Sequence, residues 1–83
     1  MTQYIATFFS HFGATRFKKL CTEQGFPAQV MPVPRTLSSS CGTCVKYSTD
    51  SNPVIGNHLQ EIEQIVRITG ENKYETVYQA EDL

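Results

Sequence analysis

Gln3-Tyr4-Ile5-Ala6-Thr7-Phe8-Phe9, then Ser10, then His11 to Gln24, is the stretch that decides the fold. The first part is a near-continuous apolar run, as expected of a strand buried in the middle of a sheet. Ser10 suits a helix N-cap, because its hydroxyl can accept a free backbone N–H of the first turn. From His11 to Gln24 the pattern is helical: Phe17, Leu20 and Cys21 share one face, and Arg16, Lys18, Lys19 and Glu23 fall elsewhere. Gly25 supplies a left-handed stop. The strand therefore runs straight into a helix with no cysteine pair at the helix start. A thioredoxin-like domain would place its CxxC there, which disfavours that fold.

Working outward, Pro27 to Val33 reads as a second strand with Val30 and Met31 at its heart. Pro32 cannot donate to a ladder, so this strand belongs at a sheet edge or ends there. A polar segment from Pro34 to Thr43 follows, and Val45 to Ser48 reads as a short third strand. Asn52 as N-cap with Pro53 at the first helical position predicts a second helix. Its apolar stripe is Ile55, Leu59, Ile62, Ile65 and Val66; Gly56 weakens its first turn and Gly70 ends it. Tyr74 to Tyr78 is the last strand. The order βαββαβ predicts one ferredoxin-like α+β domain over residues 1–83: a four-stranded antiparallel sheet with two helices on one face. Strands one and three would be central. The edge strands at 28–33 and 74–78 would allow a homodimer.

A chain of 83 residues fills one thin core and has little room for a deep substrate pocket or a cofactor. An elaborate enzyme with its own cofactor site is therefore not expected. Seven Lys and Arg face eight Asp and Glu, so the basic footprint of a nucleic-acid binder is missing. No apolar run approaches the length of a membrane span, and the N-terminus lacks the pattern of a signal peptide. The cytoplasm is the expected location. Three cysteines form an odd set. In that setting a disulfide framework is disfavoured, and a redox or metal role for the close pair Cys41 and Cys44 is favoured.

The segment Pro34-Arg35-Thr36-Leu37-Ser38-Ser39-Ser40-Cys41-Gly42-Thr43-Cys44 holds the candidate site. A hairpin connection of this length exceeds what packing requires. Gly42 permits a tight turn between the cysteines. Ser38, Ser39, Ser40 and backbone amides can hydrogen-bond a thiolate, and Arg35 can add a charge if it folds back. The predicted topology brings the turn at Ser10-His11-Phe12-Gly13 to the same end of the sheet. Three uses of the cysteines compete. In thiol chemistry, one of the two cysteines is the nucleophile and the other the resolving thiol. A structural zinc needs two more ligands, for which His11, Cys21 and His58 are the candidates, or a site shared by two chains. The third is a loop with two incidental cysteines. Cys21, beside Leu20 and Phe17, reads as a core residue, and the phenylalanines read mainly as core and sheet-face residues.

Tyr4-Ile5-Ala6-Thr7-Phe8-Phe9-Ser10-His11-Phe12-Gly13-Ala14, Met31-Pro32-Val33-Pro34-Arg35 and Leu37-Ser38-Ser39-Ser40-Cys41-Gly42 together resemble the selenium/sulfur carrier protein-like family. The resemblance runs to about the third strand, and its most specific part is the Pro-Arg…Ser-Cys-Gly element. It implies cytoplasmic handling of sulfur or selenium bound to cysteine, with Cys41 as the carrier residue and Arg35 and Ser38 to Ser40 shaping its loop. The expected partners are a donor enzyme of the cysteine desulfurase or selenocysteine lyase type and an acceptor enzyme. The alternatives are a zinc-binding or structural interaction module and a dithiol–disulfide redox protein.

Overall fold

The computed structural model describes residues 2–37, 39–50 and 61–80. Six elements follow one another: β1 (Thr2–Phe8), α1 (His11–Glu23), β2 (Ala28–Pro32), β3 (Thr43–Thr49), β4 (Ile62–Gly70) and β5 (Lys73–Gln79). The five strands form one sheet in the order β2-β3-β1-β4-β5, and every neighbouring pair is antiparallel. As the apolar run predicts, β1 is central, and the strand that carries Pro32 is an edge. The other edge, β5, contains one extra residue, Val77, between Thr76 opposite Val66 and Tyr78 opposite Ile65. Proline and a bulge both blunt free edges against further pairing.

The mixed α+β class holds, but the predicted four-stranded, two-helix arrangement does not match the described residues. Ile62 to Gly70, read from the sequence as the second half of a helix, is the strand β4. Gly70 does not stop a helix; it pairs with Lys73 at the turn into β5, where Asn72 takes a positive φ of 57°. A β-bulge misled the periodicity. Phe8 pairs with Ile62 and Thr7 with Gln64, which leaves Glu63 as an extra residue in β4. Ile62 and Ile65 therefore share one face of the sheet, at a spacing that mimics a helical stripe. The predicted helix start at Asn52-Pro53, with Ile55, Gly56, His58 and Leu59, lies outside the described residues. Among the described residues α1 is the one helix.

The helix covers one face of the sheet. Ala14, Phe17 and Cys21 of α1 pack on Tyr4, Ala6 and Phe8 of β1, Val45 and Tyr47 of β3, and Ile62 and Ile65 of β4. Phe17 anchors this layer: its ring centroid lies 5.3 Å from Phe8 and 5.1 Å, edge-on, from Tyr47. Side chains alternate along β1 and β3, so Ile5 and Cys44 face the other way. With Val66 they form a smaller buried cluster on the opposite face, against Met31, Val33, Leu37, Ile68 and Tyr74. Not every phenylalanine is in a core: Phe9 is 49% and Phe12 is 67% exposed.

Candidate functional site

The site is built where β1 gives way to α1. Ser10 is extended and its side-chain oxygen accepts from the backbone N–H of Gly13 at 3.2 Å, so it caps the helix as its chemistry predicts. Gly13 is buried against the chain entering β4. A Cβ there would lie 3.0 Å from Cβ of Glu61 and 3.4 Å from the Phe8 ring. Arg16 reaches from α1 to the same place, with 2.9 Å to Oε1 of Glu61.

The β2–β3 connection wraps this end of the sheet from one face to the other. It leaves β2 on the face opposite α1, where Val33 and Leu37 pack on Ile5, Cys44 and Val66. Leu37 N–H donates to the carbonyl of Pro34 at 3.0 Å, which closes a turn with Arg35 and Thr36 at its tip. The chain then crosses the end of β1, where Ser39 Oγ donates to the carbonyl of Phe8 at 3.3 Å. Ser40 meets β4: its N–H and hydroxyl donate to Oε1 and Oε2 of Glu63 at 3.0 and 2.7 Å. Cys41 arrives half-buried on the α1 side, packed against the main core. Gly42 follows with φ of 75°, a conformation that favours glycine. Its carbonyl accepts from Val33 N–H at 3.1 Å and closes the base of the loop.

The Cys41 sulfur is held by its own turn. It accepts from the N–H of Thr43 at 3.4 Å, and its S–H can donate to the Thr43 carbonyl at 3.4 Å. Ser39 Oγ stands 4.0 Å away, at the outer limit for a sulfur hydrogen bond. Thr43 is in turn fixed from α1, with its Oγ1 2.6 Å from Nδ1 of His11. The expected meeting of the α1 start and the cysteine loop is thus made by His11.

The other two thiols are placed differently. Cys21 is fully buried in the main core, as its helical neighbours predict, and burial pushes its thiol up to about 11. Cys44 is fully buried on the opposite face, where its S–H points to the carbonyl of Pro32 at 3.7 Å. Burial, with a smaller contribution from the charge of Cys41, pushes it up to about 11 as well. All three cysteines are free thiols. The CxxC spacing therefore does not bring Cys41 and Cys44 into one pair: β3 begins between them and sends their side chains to opposite sides of the sheet.

The structure brings Ser10, His11, Ser39, Ser40, Cys41, Gly42 and Thr43 together. Arg35 is exposed at the turn and makes no hydrogen bond to Cys41. Ser38 lies outside the described residues. Glu63 was missed by sequence reasoning because it lay in a segment read as helix. No signal for its bulge is visible in the sequence. Among the described residues no group of three His, Cys, Asp or Glu side chains is placed to hold a metal. No helix of the described residues is long and apolar enough to cross a membrane.

With this geometry in view, the comparison with protein families is direct. The family model described as "Putative Se/S carrier protein-like" matches residues 3–78. The chain belongs to this family. The match spans every element from β1 into β5, so the Se/S carrier-like unit includes β4 and Glu63 as well as the cysteine loop. No curated protein and no solved structure matches the chain.

Proposed function

We propose that this Se/S carrier-like protein holds a sulfur or selenium atom on Cys41 as a persulfide or selenopersulfide, and passes it between a donor and an acceptor enzyme in the cytoplasm. The observation that carries this is the contrast among three thiols: Cys21 and Cys44 are shut into cores, while Cys41 is partly exposed on a polar turn. Family membership over residues 3–78 supports the choice of cargo.

Loading is a thiol exchange. The Cys41 thiolate attacks the outer sulfur of a persulfide R–S–SH on the donor, of cysteine desulfurase type. A new S–S bond forms on Cys41, the donor's S–S bond breaks, and R–S⁻ leaves. The N–H of Thr43 remains a donor to the sulfur after its proton has gone. Selenium from a donor of selenocysteine lyase type follows the same course. An acceptor thiolate then takes the outer atom, and Cys41 returns as thiolate, so the carrier needs no cofactor. The test is intact-mass measurement after incubation with a cysteine desulfurase and cysteine. The parent gains one sulfur and Cys41→Ser does not.

A further inference from the structure

The loop is tied on both sides of Cys41 by residues from other elements. On one side Glu63, the bulge residue of β4, accepts two hydrogen bonds from Ser40, at 3.0 and 2.7 Å. On the other side His11 of α1 holds Thr43 at 2.6 Å. Between these anchors Cys41 packs on the α1 face, and Cys44 lies buried on the other. A free CxxC in a flexible loop closes readily, because the two sulfurs need only meet with β-carbons about 3.5–4.5 Å apart. Here the turn that carries Cys41 is bonded to Glu63, and Cys44 sits in a separate buried cluster.

We infer that Glu63 is a positioning residue that insulates the carrier thiol from Cys44. The inference rests on the carrier reading. Its chemical content is the suppression of one reaction: the Cys44 thiolate attacks the inner sulfur of Cys41–S–SH, the Cys41–Cys44 disulfide forms, the persulfide bond breaks, and the outer sulfur leaves as hydrosulfide. In the clamped fold that discharge is slow, and the cargo is kept for an acceptor. Burial of Cys44, which keeps its thiol protonated at neutral pH, acts in the same direction. Release of Ser40 from Glu63 is the event that would permit discharge.

The test uses the full chain as parent, Glu63→Ala, Glu63→Gln, Ser40→Ala, Cys44→Ser and the double variant Glu63→Ala/Cys44→Ser. Cys41 is loaded with inorganic polysulfide, excess is removed, and sulfide release and intact mass are followed at pH 7.5. In a parallel arm the unloaded proteins are oxidised with diamide and the intramolecular disulfide is followed. Glu63→Ala should discharge and close its disulfide about tenfold faster than the parent, the factor expected for losing a hydrogen bond to a charged group. The double variant should hold its sulfur as the parent does. Glu63→Gln, which keeps an acceptor and a donor for Ser40 but not the charge, should stay closer to the parent than Glu63→Ala does, and Ser40→Ala should fall between parent and Glu63→Ala, which guards against a folding defect in Glu63→Ala. Equal rates for parent, Glu63→Ala and Ser40→Ala in the diamide arm would overturn the inference. So would a fast discharge that persists without Cys44. If no protein retains a persulfide while the diamide rates still separate, the carrier reading fails and the clamp stands.

Discussion

His11 Nδ1 lies 2.6 Å from Thr43 Oγ1, and so the first residue of α1 is bonded to the first residue of β3 across 32 positions of sequence. Thr43 is also the residue whose N–H reaches the Cys41 sulfur. Helix, strand and the Cys41 thiol therefore meet through one residue, its side chain on His11 and its backbone on the sulfur. The helix is set there by its own cap. Ser10→Ala removes the acceptor for Gly13 N–H and should cost about 1 kcal/mol. Urea unfolding should show the loss as a lower midpoint at unchanged slope, and iodoacetamide labelling of Cys41 should change with it.

Gly13 makes the close approach of α1 to the chain entering β4. Gly13→Ala places a methyl group 3.0 Å from Cβ of Glu61, tighter than such contacts normally allow. Helix propensity favours alanine by about 1 kcal/mol, but overpacking of this kind costs about 1–3 kcal/mol. The variant should therefore be destabilised in thermal unfolding, with Arg16 and Glu61 pulled apart.

The buried cysteines make stability depend on alkaline pH. Cys21 and Cys44 rise from the usual 9.0 to about 11 in the fold, and burial raises the Tyr47 hydroxyl as well. A raised value means that the folded chain holds the proton more tightly than the unfolded chain. Stability is thus intact below pH 9 and falls as pH climbs from 9 to 11. Each thiol contributes about 2–3 kcal/mol to that fall, because holding a proton across one pH unit is worth about 1.4 kcal/mol. Denaturant midpoints measured from pH 7 to pH 11 should drop over this window, and Cys44→Ala should flatten part of the drop. At pH 8 iodoacetamide should label Cys41 and spare Cys21 and Cys44 until denaturant is added.

Chelator treatment should leave the thermal midpoint unchanged. A structural zinc contributes folding free energy directly, so its removal would lower the midpoint. Stoichiometric zinc in protein purified without chelator, with unfolding on its removal, would favour the zinc-module alternative.

What could be read from the sequence followed from local rules acting alone. The apolar run of β1, the Ser10 cap, the Phe17–Cys21 face and the Pro32 edge each express a preference that the tertiary structure respects. β4 was misread because its bulge at Glu63 converts a two-residue period into a three-residue spacing between Ile62 and Ile65. The β-branched run Ile62, Ile65, Val66, Ile68, Thr69 carried the opposite signal. The loop around Cys41 could be singled out as a candidate because its composition is local. The separation of Cys41 from Cys44 could not, because it depends on β3 starting at Thr43, two residues earlier than the hydrophobic pattern indicates. Glu63 acts across 23 residues, and no local rule reports such a contact.

The central claim is that Cys41 carries the atom. The measurement that tests it most directly is intact-mass analysis of parent, Cys41→Ser and Cys44→Ser after incubation with a cysteine desulfurase and cysteine, with reductant added afterwards. The parent and Cys44→Ser should each gain the mass of one sulfur and lose it on reduction, and Cys41→Ser should gain nothing. A parent that never gains mass, or a Cys41→Ser variant that loads as well as the parent, would contradict the account.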